Sequence, residues 1–553
     1  MNIKTDLDLP VLLLLLGAIL GLGVAYDRSL SIPIFRALVI SWLLCALLAR
    51  LSSAGVRSAA WALLGLWTLA AWYFTTQYGH LSYPAKIGLV HGLGQLTGRP
   101  WPDLTLFRPQ RNAMATFLEG GLPVGIGLLL SSKRAWKRVA ALVAVVSLSY
   151  ALSLTASRGA WGGLVCAGLM AGIWSVRGRL PRRAWLVIVA SIGITLVTGI
   201  AVVVALLPNW APGVRGALEY AADRFAFHGR VFNLVKDFAL TGIGLGGTFG
   251  MIYSRYVLLI RVPFLTYAHN LFLAVWLGHG LLGILGFGWL LFVLARLIGR
   301  GLRQGASPLF WGSALGMVAS LLHGLVDATQ YEGPGWPMLP LYALLGLVAA
   351  TAPKRLVSRR WLRLSWPWLS LLGVLALLLG ILTQQALASI YQINRGSLAQ
   401  ARADLAPDLS EGERAGLRVQ AAARYALAMK LWPGQTMSDR RLGLMATDAN
   451  EFETAISHLE RAYEGNPSHP ANVKGLGLAY LWAGRLDEAQ VLLQDVPWMC
   501  EELHTWAWWR GTQGQDDLAG HARLLAGRIC AESRSESESP EVACPEARGI
   551  GAR

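Results

Sequence analysis

The strongest constraint on this chain is a succession of apolar runs with almost no charge inside them. A helix crosses the roughly 30 Å hydrocarbon core of a bilayer with about 20 residues. Runs near that length occupy residues 10–26, 33–49, 58–76, 113–131, 139–156, 159–176, 184–206, 269–295, 307–326, 337–352 and 365–386. A soluble domain of 553 residues could not bury so much apolar surface: 54% of the residues are hydrophobic, 15% are charged, and mean hydropathy is +0.46. The predicted fold is all-α, a polytopic membrane protein with about 11 transmembrane helices. The first run follows a nearly neutral start, lacks a small-residue cleavage site and leads straight into further spans, so it reads as the first span and not as a cleaved signal.

Loop charges orient the helices, because cytoplasmic loops hold an excess of Lys and Arg. Arg50 and Arg57; Lys133, Arg134, Lys137 and Arg138; Arg177, Arg179, Arg182 and Arg183; Arg296, Arg300 and Arg303; and Lys354, Arg355, Arg359, Arg360 and Arg363 fall in alternate loops. One assignment puts all of them inside, with the N-terminus cytoplasmic. The same assignment puts 77–112, 207–268 and everything after about 387 outside. The net charge of +17 is thus spent on topology, so the expected partner of these cations is membrane lipid and no nucleic acid.

The membrane part covers 1–387, and a soluble helical pattern with a 34-residue period covers 388–530. Leu442-Gly443, Ala455, Leu459, Ala462 and Pro467 are followed in register by Leu476-Gly477, Tyr480, Ala489 and Leu493. This pattern resembles tetratricopeptide repeats, with two clear repeats and a degenerate one on each side. Residues 531–553, rich in Ser and Glu, read as a disordered tail. Cys45, Cys166, Cys500, Cys530 and Cys544 show no metal-ligand spacing. If the repeats lie outside the cytoplasm, the last three can form one disulfide, whose pairing the spacing does not choose.

Four polar clusters lie at the outer face in this topology, where charge beside a membrane is expensive unless used. The first, F-R-P-Q-R-N, contains Arg108, Arg111 and Asn112; its cations could hold an anion, but taken alone they favour the headgroup layer. The second, T-A-S-R-G, puts Arg158 in a tight turn between two spans, as a snorkelling anchor or as a functional cation. The third joins D-R-F-A-F-H-G-R to L-T-G-I-G-L-G-G-T-F, so that Arg224, His228 and Arg230 lead into a glycine-rich turn. Guanidinium groups beside exposed backbone amides suit phosphate or pyrophosphate, since the planar fork binds two oxygens at once. The fourth, Y-A-H-N, sets His269 and Asn270 at the mouth of a span, where a histidine can take a proton from an attacking hydroxyl or can simply be satisfied by headgroups. Glu119 lies inside a span, and His323 and Asp327, one helical turn apart, form a candidate relay pair; two such ligands do not make a metal site.

The order of these pieces across residues 100–350 resembles the O-antigen ligase and polymerase superfamily, which includes bacterial protein O-oligosaccharyltransferases. The resemblance rests on R-N at 111–112, S-R-G at 157–159, G-R followed by the glycine-rich turn, H-N with Gly280 and Gly283, and H-x-x-x-D at 323–327. One departure is L-G-H-G at 277–280, where relatives often carry an acidic residue. The resemblance implies transfer of glycan, with inversion and without metal or cofactor, from an undecaprenyl-pyrophosphate carrier to an acceptor hydroxyl. Its place would be the outer face of a bacterial cytoplasmic membrane, as in lipopolysaccharide assembly. It implies that Arg158 and Arg230 hold the pyrophosphate, that His269 is general base, and that Asn270, Arg108, Arg111 and Arg224 contact substrate. The acceptor would be a lipid A core sugar for a ligase, a growing chain for a polymerase, or a protein Ser or Thr for a protein transferase. The repeats would bind such an acceptor or a protein partner. The rival of another class is a transporter of lipid-linked glycan, but the membrane part shows no internal repeat and its polar clusters share one face.

Overall fold

The computed structural model describes residues 6–80, 82–83, 88–97, 101–104, 106–177, 212–259, 265–333, 335–353 and 366–537. Among the described residues there are helices and turns and no strand. The membrane part contains α1 (Asp8–Val24), α2 (Arg28–Ala49), α3 (Ser53–Gln77), α4 (Gly88–Thr97), α5 (Arg111–Leu118), α6 (Gly121–Ser131), α7 (Ala135–Leu154) and α8 (Arg158–Arg177). It continues with α9 (Pro212–Asp237), α10 (Phe249–Tyr256), α11 (Leu271–Gln304), α12 (Pro308–His323), α13 (Met338–Thr351) and α14 (Trp366–Leu405). Every predicted span except 184–206, which lies outside the described residues, coincides with helix. Arg28–Ala49, Ser53–Gln77, Arg111–Ser131, Ala135–Leu154 and Leu271–Gln304 are long and apolar enough to cross a membrane, while α1, α12 and α13 are shorter apolar helices.

The helices present large apolar side chains outward, among them Leu43, Leu47, Leu69, Val139 and Phe292. Such a surface is a liability in water and the expected one in lipid. Where helices meet, small residues let the backbones approach. Gly17 and Gly21 of α1 face Gly283, His279 and Gly278 of α11, and a methyl group at Gly17 would stand 2.7 Å from the His279 carbonyl oxygen. Two ion pairs join groups predicted to share the cytoplasmic side: Arg50 with Asp8 at 2.9 Å, and Arg300 with Asp6 at 2.7 Å.

Two spans depart from simple helices. The fourth predicted span is interrupted at Glu119 and Gly120, between α5 and α6. Helix α11 is broken at Gly280, whose φ of 64° and ψ of −161° are open essentially to glycine alone. The glycine-rich turn fills that break: Leu281 N–H donates to the Leu240 carbonyl at 3.0 Å, and Ile243 N–H donates to the Leu277 carbonyl at 2.7 Å. Asn394, beyond the last predicted span, accepts from the Leu240 and Thr241 N–H groups at 3.0 and 3.3 Å. The segment after that span therefore holds the predicted outer loop directly.

The chain divides into two compact units: 1–255 with 262–384 and 394–421, and 256–261 with 385–393 and 422–553. The residues of the two units interleave along the chain. Helix α15 (Glu411–Leu431) crosses from the first unit into the second. The second unit then stacks helix pairs: α16 (Met437–Asp448) with α17 (Phe452–Gly465), α18 (Pro470–Trp482) with α19 (Leu486–Leu493), and α20 (Met499–Thr512) with α21 (Asp516–Ser537). Its core contains the residues that set the predicted register, Ala455, Leu459, Ala462, Leu476, Ala489 and Leu493. Gly443 faces Leu459 and Gly477 faces Leu493, so each pair closes on a small residue. Helix α21 continues to Ser537, into the segment read as a tail, and 538–553 lie outside the described residues. Cys500 and Cys530 form a disulfide, the pairing that spacing left open.

Candidate functional site

The candidate site is built on the turn that follows α12. That helix ends at His323, with Gly324 as its cap, and one further turn follows, in which Asp327 N–H donates to the His323 carbonyl at 3.0 Å. His323 and Asp327 thus stay one turn apart, and each side chain has a further partner. His323 Nδ1 lies 2.7 Å from Glu119 Oε2, both side chains being buried, and His269 Nδ1 lies 3.3 Å from Asp327 Oδ1.

The mouth of α11 is stitched to the same turn. Leu271 N–H donates to the Gly324 carbonyl at 2.6 Å, and Asn270 Nδ2 donates to the Leu325 carbonyl at 2.9 Å. Asn270 Oδ1 caps α11 by accepting from Phe272 and Leu273 N–H at 3.0 and 3.1 Å. Asn270 thus has a structural use in setting the helix start, and with it the position of His269. His269 has a φ of 48°, uncommon outside glycine, and is held there by its neighbours. Its ring packs on Tyr267 at 4.1 Å between centroids and meets the Phe227 ring at 5.9 Å. His228 Nε2 lies 3.0 Å from the His269 carbonyl oxygen, so Nε2 carries the proton and donates.

Asp327 keeps its charge. Burial pushes its carboxyl upward, but the hydrogen bond from His269, the neighbouring His323 ring and the Ala328 N–H bond at 2.8 Å together hold it below the ordinary range. Burial, with the charge of Asp327, pushes the Tyr267 hydroxyl up, so it stays a neutral donor to that carboxylate. Burial lowers His228, opposed by its hydrogen bond to the His269 carbonyl and aided by the charge of Arg224, and keeps its imidazole neutral. Glu332 is raised by burial and by the charge of Asp327.

Arg158 opens α8 directly after a tight turn in which Ala156 has a φ of 55° and Ser157 Oγ accepts from Ala160 N–H at 3.3 Å. Its neighbour Gly159 abuts His323 and Val326: an added methyl group would stand 2.5 Å from the His323 ring. The S-R-G turn and the H-N mouth, far apart in sequence, therefore rest on the one segment 323–327. Arg224 and Arg230 lie on α9, on either side of the Phe227 and His228 that touch His269.

Arg108 is exposed just before α5, next to Phe107, whose ring packs on Tyr73 and Trp336 at 4.8 and 5.7 Å. Arg111 lies 4.8 Å from the Tyr78 ring centre and donates to the Tyr83 carbonyl at 2.6 Å, so its guanidinium braces the segment after α3. His279, at the departure L-G-H-G, is buried and accepts from or donates to the Tyr331 hydroxyl at 2.6 Å; its Nδ1 lies 3.2 Å from the Leu14 carbonyl oxygen. Between the glycine-rich turn and Tyr267 and Tyr331 lies a cavity of about 20 Å³, room for one water.

Tyr267, Asp327 as partner of His269, and the Glu119–His323 pair were not legible as a site. Tyr267 stood in Y-A-H-N beside the chosen histidine, and that adjacency was its one signal.

Residues 142–288, which contain Arg158, Arg230, His269 and Asn270, match the family model described as O-antigen ligase. Residues 446–497 match tetratricopeptide repeat. No curated protein matches the chain. In its membrane part the chain thus carries a segment similar to the O-antigen ligase family and, after it, one similar to tetratricopeptide repeats.

Proposed function

We propose that this protein transfers glycan from an undecaprenyl-pyrophosphate carrier to an acceptor hydroxyl at the outer face of a bacterial cytoplasmic membrane. The observation that carries this reading is the contact of His269 with Asp327, on the turn that also supports Arg158, in a chain matching the O-antigen ligase family. The Asp327 carboxylate accepts the His269 Nδ1 proton and leaves the Nε2 lone pair to take a proton. The acceptor oxygen attacks the anomeric carbon as its proton passes to Nε2. The bond from that carbon to the phosphate oxygen breaks with its electron pair, and one displacement inverts the centre. Arg158 and Arg230 stabilise the charge that grows on the pyrophosphate, with Arg224 and Arg108 as further contacts. Asn270 and Arg111 act chiefly by positioning. No cofactor has a step in this scheme.

Two features support the outer placement: the Asn394 contact with the glycine-rich turn, and the Cys500–Cys530 disulfide, which suits an oxidising compartment. The test is transfer by purified protein in detergent, with chelator present, from extracted lipid-linked glycan to a lipid A core acceptor, a growing glycan chain and a Ser/Thr peptide. Transfer should survive the chelator and fall at least 10²-fold in His269→Ala and Arg230→Ala. The acceptor that works identifies the ligase, polymerase or protein-transferase branch. Donor crossing of reconstituted vesicles without transfer to any acceptor would replace this reading by transport.

A further inference from the structure

The last hairpin of the repeat unit carries a groove that the transfer chemistry leaves unused. Helices α20 and α21 are joined by the turn at 513–515 and tied at the other end by Cys500–Cys530. Between them runs an open groove of about 600 Å³, within the roughly 300–1,000 Å³ of small-ligand sites. Its floor is shallow because Ala507 and Gly511 are small and fall on one face of α20.

The side chains along the rim have hydrogen-bonding capacity to spare. Trp508 is 68% exposed, and among the described residues Trp508, Asp516 and Arg523 make no hydrogen bond or ion pair, although Asp516 and Arg523 line the same groove. Elsewhere in this unit Arg461, Arg485 and Arg528 are paired with Asp439, Glu488 and Asp487. An indole face with a carboxylate and a guanidinium beside it, over a floor without deep apolar pockets, suits a sugar. The ring's C–H face lies on the electron-rich indole, while its hydroxyls donate to Asp516 and accept from Arg523.

We propose that the α20–α21 groove binds a segment of the glycan chain, as a site separate from the one built on His269; the choice of ligand rests on the glycan-transfer reading. The test uses the full-length protein in detergent and, as probe, radiolabelled oligosaccharide released from extracted lipid-linked glycan by mild acid. Trp508→Ala and Arg523→Ala should each weaken binding about tenfold or more. Trp432→Ala, at another exposed tryptophan of this unit, should leave it within about twofold, and all three should fold as judged by thermal unfolding. Glycan transfer is measured in parallel. Binding unchanged in both groove variants while the wild type transfers glycan overturns this proposal and spares the transfer reading; binding lost as expected without any transfer does the reverse. A Ser/Thr-rich peptide that binds through Trp508 while the oligosaccharide does not bind also overturns it.

Discussion

Asp327→Asn tests the core of the mechanism because it removes a charge and little volume. Oδ1 of Asp327 lies 3.3 Å from His269 Nδ1, and the side chains are 12% exposed for His269 and 9% for Asp327, so solvent screens the pair weakly. A hydrogen bond to a charged group contributes about 1.5–3 kcal/mol, and each 1.36 kcal/mol is tenfold in rate. The expected loss in kcat is therefore about 10- to 150-fold. The amide still accepts from Ala328 N–H, so the turn keeps its shape. KM should move by less than about threefold if, as proposed, the carboxylate acts through His269. Stability changes with a definite sign. The folded state holds Asp327 below its unfolded value, so its contribution is full above about pH 4 and is lost as pH falls through the folded value. The variant should melt below wild type at pH 7, and the gap should close in acid. The assay is the initial rate of glycan transfer over donor concentration, beside thermal unfolding at both pH values. Retention of kcat within twofold, or a rise in KM alone, would refute the assignment of Asp327 to the chemistry.

Three further outcomes follow from the same geometry. Gly280→Ala should lower the yield of folded, monodisperse protein in size-exclusion chromatography, because the conformation there costs a non-glycine residue about 1–3 kcal/mol and the methyl group meets the Leu240 carbonyl. Cys500→Ser should destabilise the repeat unit by about 3–4 kcal/mol, from the entropy of a cross-link spanning 30 residues, read as the shift in its denaturant midpoint; a shift below about 1 kcal/mol would contradict this. Burial keeps His228 neutral when folded, so the unfolded chain takes up the proton first and wild-type stability drops as pH falls below about 6.5. His228→Gln keeps a donor toward the His269 carbonyl and cannot charge, so its melting temperature should gain on wild type from pH 8 to pH 5.5.

Much of the architecture was written locally. The apolar runs, the alternating basic loops and the register of Gly443, Leu459, Gly477 and Leu493 depend on short windows of sequence, and the structure returns helices and closed pairs at those places. Parts of the candidate site stand out in the sequence as well: His269 and the glycine-rich turn, because polar and flexible residues are conspicuous beside a membrane. The partners do not. The four-residue spacing places His323 one turn from Asp327, but no local window shows that their side-chain partners are Glu119 and His269.

By itself, then, the sequence determined the membrane class, the helices and the repeat, since each follows from the solvent preference and period of consecutive residues. Tertiary structure alone decided that His323 meets Glu119, 204 residues away, that His269 meets Asp327, 58 residues away, and that Cys500 takes Cys530. It also decided that the turn at Leu240 enters the break at Gly280. The physical reason is common to all four: a hydrogen bond, a disulfide or a backbone contact depends on which helices lie side by side, and that is set by long-range packing, which no local window contains.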